Sequence, residues 1–259
     1  MKAHLLNLMK FITSSANDKV KLIRSLSDKK ARAKHSLFVV EGVNLVSDMP
    51  IGYAKELYIA ESKVEDLLPI ANKLGIEATI VADFVFEKLN DTVNSQGILA
   101  ICSLPKQREI TGDIVMVLDG ISDAGNMGTI IRTGVAMGID NFISINCVDA
   151  YSPKVVRSTM GGIYFANIVP FSYAGACEIL KNYNVAILDM GGKNVYDYTP
   201  SLPIALVVGS EAHGVSKEMR ERANVTLAIP MYSGKIESLN AGVSASIVMS
   251  VVADKLRNL

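Results

Sequence analysis

The 259-residue chain reads as an α/β protein in two blocks, the second built on a parallel sheet. Three observations predict this. Short β-rich runs alternate with helical stretches along almost the whole chain. In the second half those runs are continuously apolar, the pattern of strands covered on both faces by helices. Between the halves lies a polar stretch, Pro105 to Gly112, in which Lys106, Gln107, Arg108 and Glu109 follow no apolar period, so it reads as a linker. The expected division is therefore residues 1–104, a linker over 105–112, and residues 113–259.

Taken in order, Leu5, Leu8, Met9 and Ile12 fit one face of a short helix, and the N-terminus lacks the basic, apolar, small-residue order of a secretory signal. Strands are predicted at Phe38–Val40, Glu56–Ile59, Glu77–Val81 and Ile98–Ile101, with a helix over Val64–Leu74. The second block predicts strands at Ile114–Leu118, Asn141–Ile145, Val185–Asp189, Ile204–Val208 and Val225–Ile229. Val243 to Ala253 is the most apolar run. It is shorter than the roughly 20 residues that span a bilayer and is broken by serines, so a buried helix is expected and no membrane association.

Cys102, Cys147 and Cys177 lie far apart, and His4, His35 and His213 form no ligand spacing. That argues against a zinc motif or a disulfide framework and fits buried thiols in a reducing compartment. Formal net charge is zero, but residues 1–40 hold nine Lys/Arg against two Asp, leaving that segment at +7 and the rest at −7. Lys19, Lys21, Arg24, Lys29, Lys30, Arg32 and Lys34 form a candidate nucleic-acid-binding set, since clustered cations contact phosphates with little regard to sequence. A solvated helix face is the equal alternative on charge alone.

In an open parallel sheet, ligands gather at the carboxyl ends of strands, so the loops after Leu118, Val208 and Ile229 carry the chemistry. The first, Asp119 to Gly128, leads into a helix holding Arg132; glycines at 125 and 128 permit tight turns, and amides at a helix start favour an anion. It is equally a well-capped strand-to-helix turn. The second, Gly209-Ser210-Glu211-Ala212-His213-Gly214, sets one carboxylate between glycines, with Glu211 alternatively the acidic first turn of a helix starting near Val215. The third runs from Ile229-Pro230-Met231 to Glu237-Ser238-Leu239-Asn240, where Ser238 is alternatively the N-cap of the final helix.

In this order, each after an apolar strand and the last running into an apolar C-terminal helix, the loops resemble the three signature motifs of the SpoU, or TrmH-type, branch of the SPOUT RNA methyltransferases. The match is carried by Asn126, Gly128 and Arg132, then Gly209, Glu211 and Gly214, then Ile229, Pro230, Ser238, Leu239 and Asn240. Asn17 through Phe38-Val39-Val40-Glu41-Gly42 is similar to the opening of that family's substrate-binding domain, and Ser95-Gln96-Gly97-Ile98 to its close. Two departures stand out: Ala124 occupies the usual proline position, and the Met231–Ser238 loop is one residue longer than the common pattern.

The resemblance implies a C-terminal parallel-sheet SPOUT domain with a deep trefoil knot, preceded by a small α/β ribosomal-protein-like domain that grips structured RNA. It implies transfer of a methyl group from S-adenosylmethionine to a ribose 2′-hydroxyl, in ribosomal rather than transfer RNA. The cofactor falls to Gly209, Ser210, Gly214, Ile229, Pro230, Met231, Ser238 and Leu239. Asn126, Arg132, Glu211, Ser238 and Asn240 become the catalytic set, Arg132 as a phosphate clamp because a guanidinium is a poor base near neutral pH. In this reading Asn126 positions the ribose or orders Arg132, and Glu211 holds that arginine or touches the nucleotide. A homodimer through the knotted domain, using the Val243–Ala253 helix, and a cytoplasmic location are implied as well. One rival is an RNA-binding protein that keeps the knotted fold without catalysis. A nucleotide-dependent oxidoreductase is disfavoured because no Gly-x-Gly-x-x-Gly fingerprint occurs.

Overall fold

Asn17 opens the first well-defined helix by accepting the Lys19 amide on its side chain, giving α1 (Asp18–Ser25), and Asp28 caps α2 (Lys29–His35) in the same way. These elements belong to a computed structural model that describes residues 10–89, 95–232 and 235–257. His4 and the helix expected around Leu5, Leu8 and Met9 lie outside the described residues. Ile12, assigned to that helix, instead sits on the two-residue strand β1 (Phe11–Ile12), because its backbone pairs in parallel with Val81.

The chain divides into two units. The first comprises residues 1–105 and 151–164. Its sheet runs β1-β4-β3-β5-β2, with β2 at Leu37–Glu41, β3 at Ala54–Ala60, β4 at Ala78–Val81 and β5 at Ile98–Ser103. Strands β1, β3 and β4 are parallel, and β5 runs antiparallel to β2 and β3. Helix α3 (Val43–Ser47) follows β2, α4 (Val64–Leu74) has the expected bounds, and α5 (Asp83–Phe86) follows β4. Gly75 closes α4 in the left-handed region at φ 65°. Tyr58, Leu99 and Ile101 of the sheet pack with Val20, Ile23 and Leu26 into one core.

The segment 151–164, expected inside the second block, groups with this first unit. Tyr151 packs on Phe38 with ring centroids 5.1 Å apart, Tyr164 on Tyr53 at 5.0 Å, and the Tyr164 hydroxyl donates to the Leu45 carbonyl at 2.7 Å. These aromatic contacts outweigh sequence proximity.

The second unit, residues 106–150 and 165–259, is a six-stranded all-parallel sheet in the order β11-β9-β10-β6-β7-β8. The strands are β6 (Ile114–Asp119), β7 (Asn141–Ile145), β8 (Asn167–Pro170), β9 (Asn184–Asn194), β10 (Ile204–Gly209) and β11 (Val225–Ala228). Val115 to Leu118 and Ile204 to Val207 are fully buried, as central strands covered on both faces require. Helices α6 (Ala124–Ala136), α8 (Tyr173–Ile179), α9 (Lys217–Arg222) and α10 (Ala241–Arg257) accompany this sheet, while α7 (Pro153–Ser158) lies in the segment that joins the first unit.

Strand β8 escapes sequence reading: it is a four-residue edge strand ending in proline, which pattern rules demote. The expected linker also behaves differently. Arg108 donates its amide to Asn167 Oδ1 at 3.1 Å and receives Asn167 Nδ2 on its carbonyl at 3.2 Å, which pins the stretch to the second unit. No helix among the described residues is long and apolar enough to cross a membrane.

Candidate active site

The carboxyl ends of β6, β10 and β11 lie at the same end of the parallel sheet, β6 directly beside β10 and β11 one strand farther out, with β9 between. After β6, Asp123 caps α6 by accepting the Asn126 amide at 2.8 Å. A Cβ on Gly125 would stand 3.0 Å from that capping oxygen, which explains a glycine there. Ala124, in the proline position, is buried in the first turn.

After β10 the chain closes on itself. Ser210 and Gly214 exchange backbone hydrogen bonds at 3.1 and 2.8 Å, and the His213 amide reaches Ser210 Oγ at 3.1 Å. A Cβ on Gly209 would lie 2.1 Å from the Gly214 carbonyl carbon, so position 209 admits glycine alone without a backbone shift. Glu211 is therefore presented at the tip of a rigid turn. It is not the first turn of a helix, because α9 begins at Lys217 with Ser216 as its cap.

The three motifs converge on Asn126. Its side-chain Nδ2 donates to Glu211 Oε1, joining the first loop to the second. Its Oδ1 lies where a Cβ on Gly242 would come within 3.1 Å, so the start of α10 approaches it closely. Asn240 caps that helix, its Oδ1 accepting the Val243 amide at 3.1 Å. The alternative that made Ser238 the cap is thus corrected: Ser238 is two residues too early and stands exposed on the cavity wall. Farther along, Thr133 and Ser246 share a hydroxyl hydrogen bond of 2.9 Å between α6 and α10.

Beside this junction lies a cavity of about 510 Å³. Of the expected cofactor set, Gly209, Ser210, Gly214, Ile229, Met231, Ser238 and Leu239 line it, and Pro230 does not; Glu211 and Asn240 line it too. Asn126 and Arg132 do not. Arg132 is exposed and makes no ion pair with any described residue, so the expected hold of Glu211 on Arg132 is absent; Asn126 has taken that carboxylate. Arg132 follows Asn126 by six helical positions, which places them about a third of a turn apart in azimuth.

Three residues were missed. Asp189, beyond β9's pairing with β10, forms an ion pair with Arg220 on the cavity wall, and Arg220 Nε also donates to the Val215 carbonyl at 3.0 Å. Asp119 is 2% exposed and accepts Tyr173 Oη at 3.0 Å and the Ser216 amide at 2.7 Å. It thereby ties the end of β6 to the root of the Glu211 turn. Its sequence signal was available, a carboxylate closing an apolar run, but charge alone did not say that it faces inward.

The cysteines take no part. Burial pushes the Cys102 thiol up to about 12 and raises Cys147, so both stay protonated at neutral pH. Among the described residues no group of three metal-ligating side chains forms.

Fold and site together define a class: an α/β protein whose candidate cleft is walled by backbone loops at the carboxyl end of a parallel sheet, without a dinucleotide glycine fingerprint. The chain belongs to the SpoU rRNA methylase family, whose profile matches residues 113–250, and the MRM3-like substrate binding domain matches residues 17–100. It is 32% identical over 247 residues to the 23S rRNA (guanosine(2553)-2′-O)-methyltransferase RlmP of Bacillus subtilis, covering 93% of this chain and 98% of that one. It is 29% identical to the mitochondrial rRNA methyltransferase 3A of Danio rerio, covering 96% and 73%. An AdoMet-bound rRNA methyltransferase from Sinorhizobium meliloti superposes with a TM-score of 0.82 at 27% identity, covering 96% and 98%.

Proposed function

We propose that this chain transfers a methyl group from S-adenosylmethionine to a ribose 2′-hydroxyl of ribosomal RNA. The observation that carries the reading is the junction of Asn126, Glu211 and the start of α10 beside a cavity walled by the Gly209–Gly214 turn. The RNA methyltransferases to which the chain is similar support the substrate class.

The lining fits the cofactor. Leu227, Ile229, Met231 and Leu239 offer apolar surface for an adenosine, and the Gly209–Gly214 turn offers backbone at close range. Asp189, Glu211 and Glu237 set three carboxylates against the single Arg220 guanidinium, a balance that favours a cationic ligand. When bound, the cofactor supplies a methyl group already activated by its sulfonium charge, which leaves the protein to orient donor and acceptor.

The residues divide that work. Glu211, fixed by Asn126, faces the acceptor side of the cavity as a hydrogen-bond acceptor for a ribose hydroxyl. Ser238 and Asn240 shape the opposite wall. Arg132, exposed and unpaired among the described residues, clamps an RNA phosphate through its bidentate fork. The 2′-hydroxyl proton then passes to that phosphate or to water, since a guanidinium stays charged. The trefoil knot, a homodimer through α10 and a cytoplasmic location complete this reading. The knot rests on the family membership alone. Val243, 45% exposed on α10, supports the dimer face.

The test is nucleoside mass spectrometry of large-subunit ribosomal RNA after incubation with the purified protein and S-adenosylmethionine carrying an isotopic methyl label. A labelled 2′-O-methylnucleoside is expected. Arg132→Lys is expected to lower its yield at least about a hundredfold with cofactor binding unchanged. No labelled nucleoside from any ribosomal RNA would overturn the assignment, and wild-type yield in Arg132→Lys would overturn the clamp.

A further inference from the structure

The first unit holds a second cavity, of about 570 Å³, that the methyl-transfer chemistry does not use. Its wall carries four cations: Lys21 and Arg24 from α1, Lys88 from the turn after α5, and Arg157 from α7. Glu41 is the one acid on that wall, so the lining is +3. Arg157 comes from the segment that the second half of the sequence lends to this unit, which is why no inspection of residues 1–40 finds the site.

Two features suit a polyanion rather than a solvated face. Arg157 is held at 3.3 Å by Glu41, whose side chain is only 10% exposed, so the guanidinium is positioned before any ligand arrives. The Ser25 and Ser27 hydroxyls on the same wall donate to the carbonyls of Leu22 and Arg24 at 2.7 and 2.9 Å. Ligand binding therefore falls to the cations. Val39, Leu89 and Pro153 add apolar surface between them, as a ribose or an unstacked base requires and a free anion does not.

We infer that this cleft is an RNA-backbone subsite in which Arg24 and Lys88 each neutralise a phosphodiester flanked by an unpaired nucleotide, while Arg157, its charge already paired with Glu41, offers its remaining N–H groups to the same backbone. The inference rests on the ribosomal RNA reading above. It also reassigns phosphate contact from the whole basic segment to one cleft that includes residues far outside it.

The experiment measures affinity for deproteinised large-subunit ribosomal RNA of Bacillus subtilis across a salt series, with S-adenosylmethionine binding followed by calorimetry on the same preparations. Arg24→Gln and Lys88→Gln change exposed side chains. Arg157→Gln is paired with Glu41→Gln so that no buried carboxylate is left alone. Arg24→Gln and Lys88→Gln are each expected to bind RNA about five- to tenfold more weakly, with the slope of log affinity against log salt reduced by about 0.7 to 0.9; the paired variant, which leaves the wall's net charge unchanged, is expected to bind more weakly with the slope kept, and cofactor binding is unchanged in all three. Should the paired variant fail to fold, the Arg24→Gln and Lys88→Gln slopes decide alone. Wild-type affinity and slope in these variants would overturn the subsite while leaving the RNA reading intact. Failure of the wild-type protein to bind RNA while it binds cofactor would overturn both.

Discussion

The basic helices α1 and α2 and the three loops of the second unit posed the same problem in sequence, each offering a functional reading and a bland one of similar weight. The structure resolves them in different ways. Along α1 and α2 it sorts the cations: Arg32 is 3% exposed and donates to the carbonyls of Leu26 and Ser27 at 2.7 and 2.8 Å, which removes it from the RNA-binding set. Lys19 is tied to Glu56, Lys21 lies 3.1 Å from Asp18, and Arg24, Lys29, Lys30 and Lys34 stand exposed. In the loops nothing is sorted out; Asn126, Glu211 and Gly242 are gathered at one point. A lysine or arginine has a long side chain and can serve any surface near its helix. A loop after a central parallel strand has its place dictated by the sheet.

The comparison breaks most sharply at Gly209. Gly209→Ala puts a methyl group 2.1 Å from the Gly214 carbonyl carbon, with backbone on the far side that has no free volume to yield. The turn must open, and the expected result is loss of S-adenosylmethionine binding by more than about a hundredfold, together with a stability cost of about 3 kcal/mol. Calorimetric titration and urea unfolding check both. Cofactor affinity within a factor of three of wild type would show that the turn is not the cofactor wall.

A smaller effect separates Arg32 from its neighbours. Arg32→Ala leaves the Leu26 and Ser27 carbonyls without their donor and is expected to cost about 2 to 3 kcal/mol in urea unfolding. RNA affinity should not change in the folded fraction. Lys34→Ala, on an exposed side chain, should leave stability within about 0.5 kcal/mol. Equal stability losses for the two would refute the sorting. The same pair of residues marks what was legible beforehand. Amphipathic period and apolar runs located α4, β6 and β10, because burial writes itself into residue type. Which cation turns inward depends on carbonyls left open at the α1–α2 junction, which composition does not record. Likewise the apolar content of the C-terminal helix was plain, while the excursion of residues 151–164 to the first unit rests on the pairing of Tyr151 with Phe38 and Tyr164 with Tyr53, separated by more than a hundred residues.

The smallest effect concerns Lys19, which the charge pattern assigned to RNA and the structure assigns to Glu56. Burial pushes the Glu56 carboxyl upward, but hydrogen bonds from Lys19 and Tyr58 and the Lys19 charge outweigh it and hold the carboxyl below its ordinary value. A carboxyl depressed in the folded state contributes stability above its unfolded pKa of about 4.3, and that contribution disappears as pH falls through the folded value. Lys19→Gln removes the larger part of the depression. The variant should therefore be less stable than wild type at pH 7, by no more than about 1 kcal/mol because the pair is largely solvated. The gap should close at acid pH, once both proteins carry a protonated Glu56. Urea unfolding at the two pH values reads this directly. If the gap were the same at both, Lys19 would act through helix packing rather than through Glu56, and its release for phosphate contact would again be open to it.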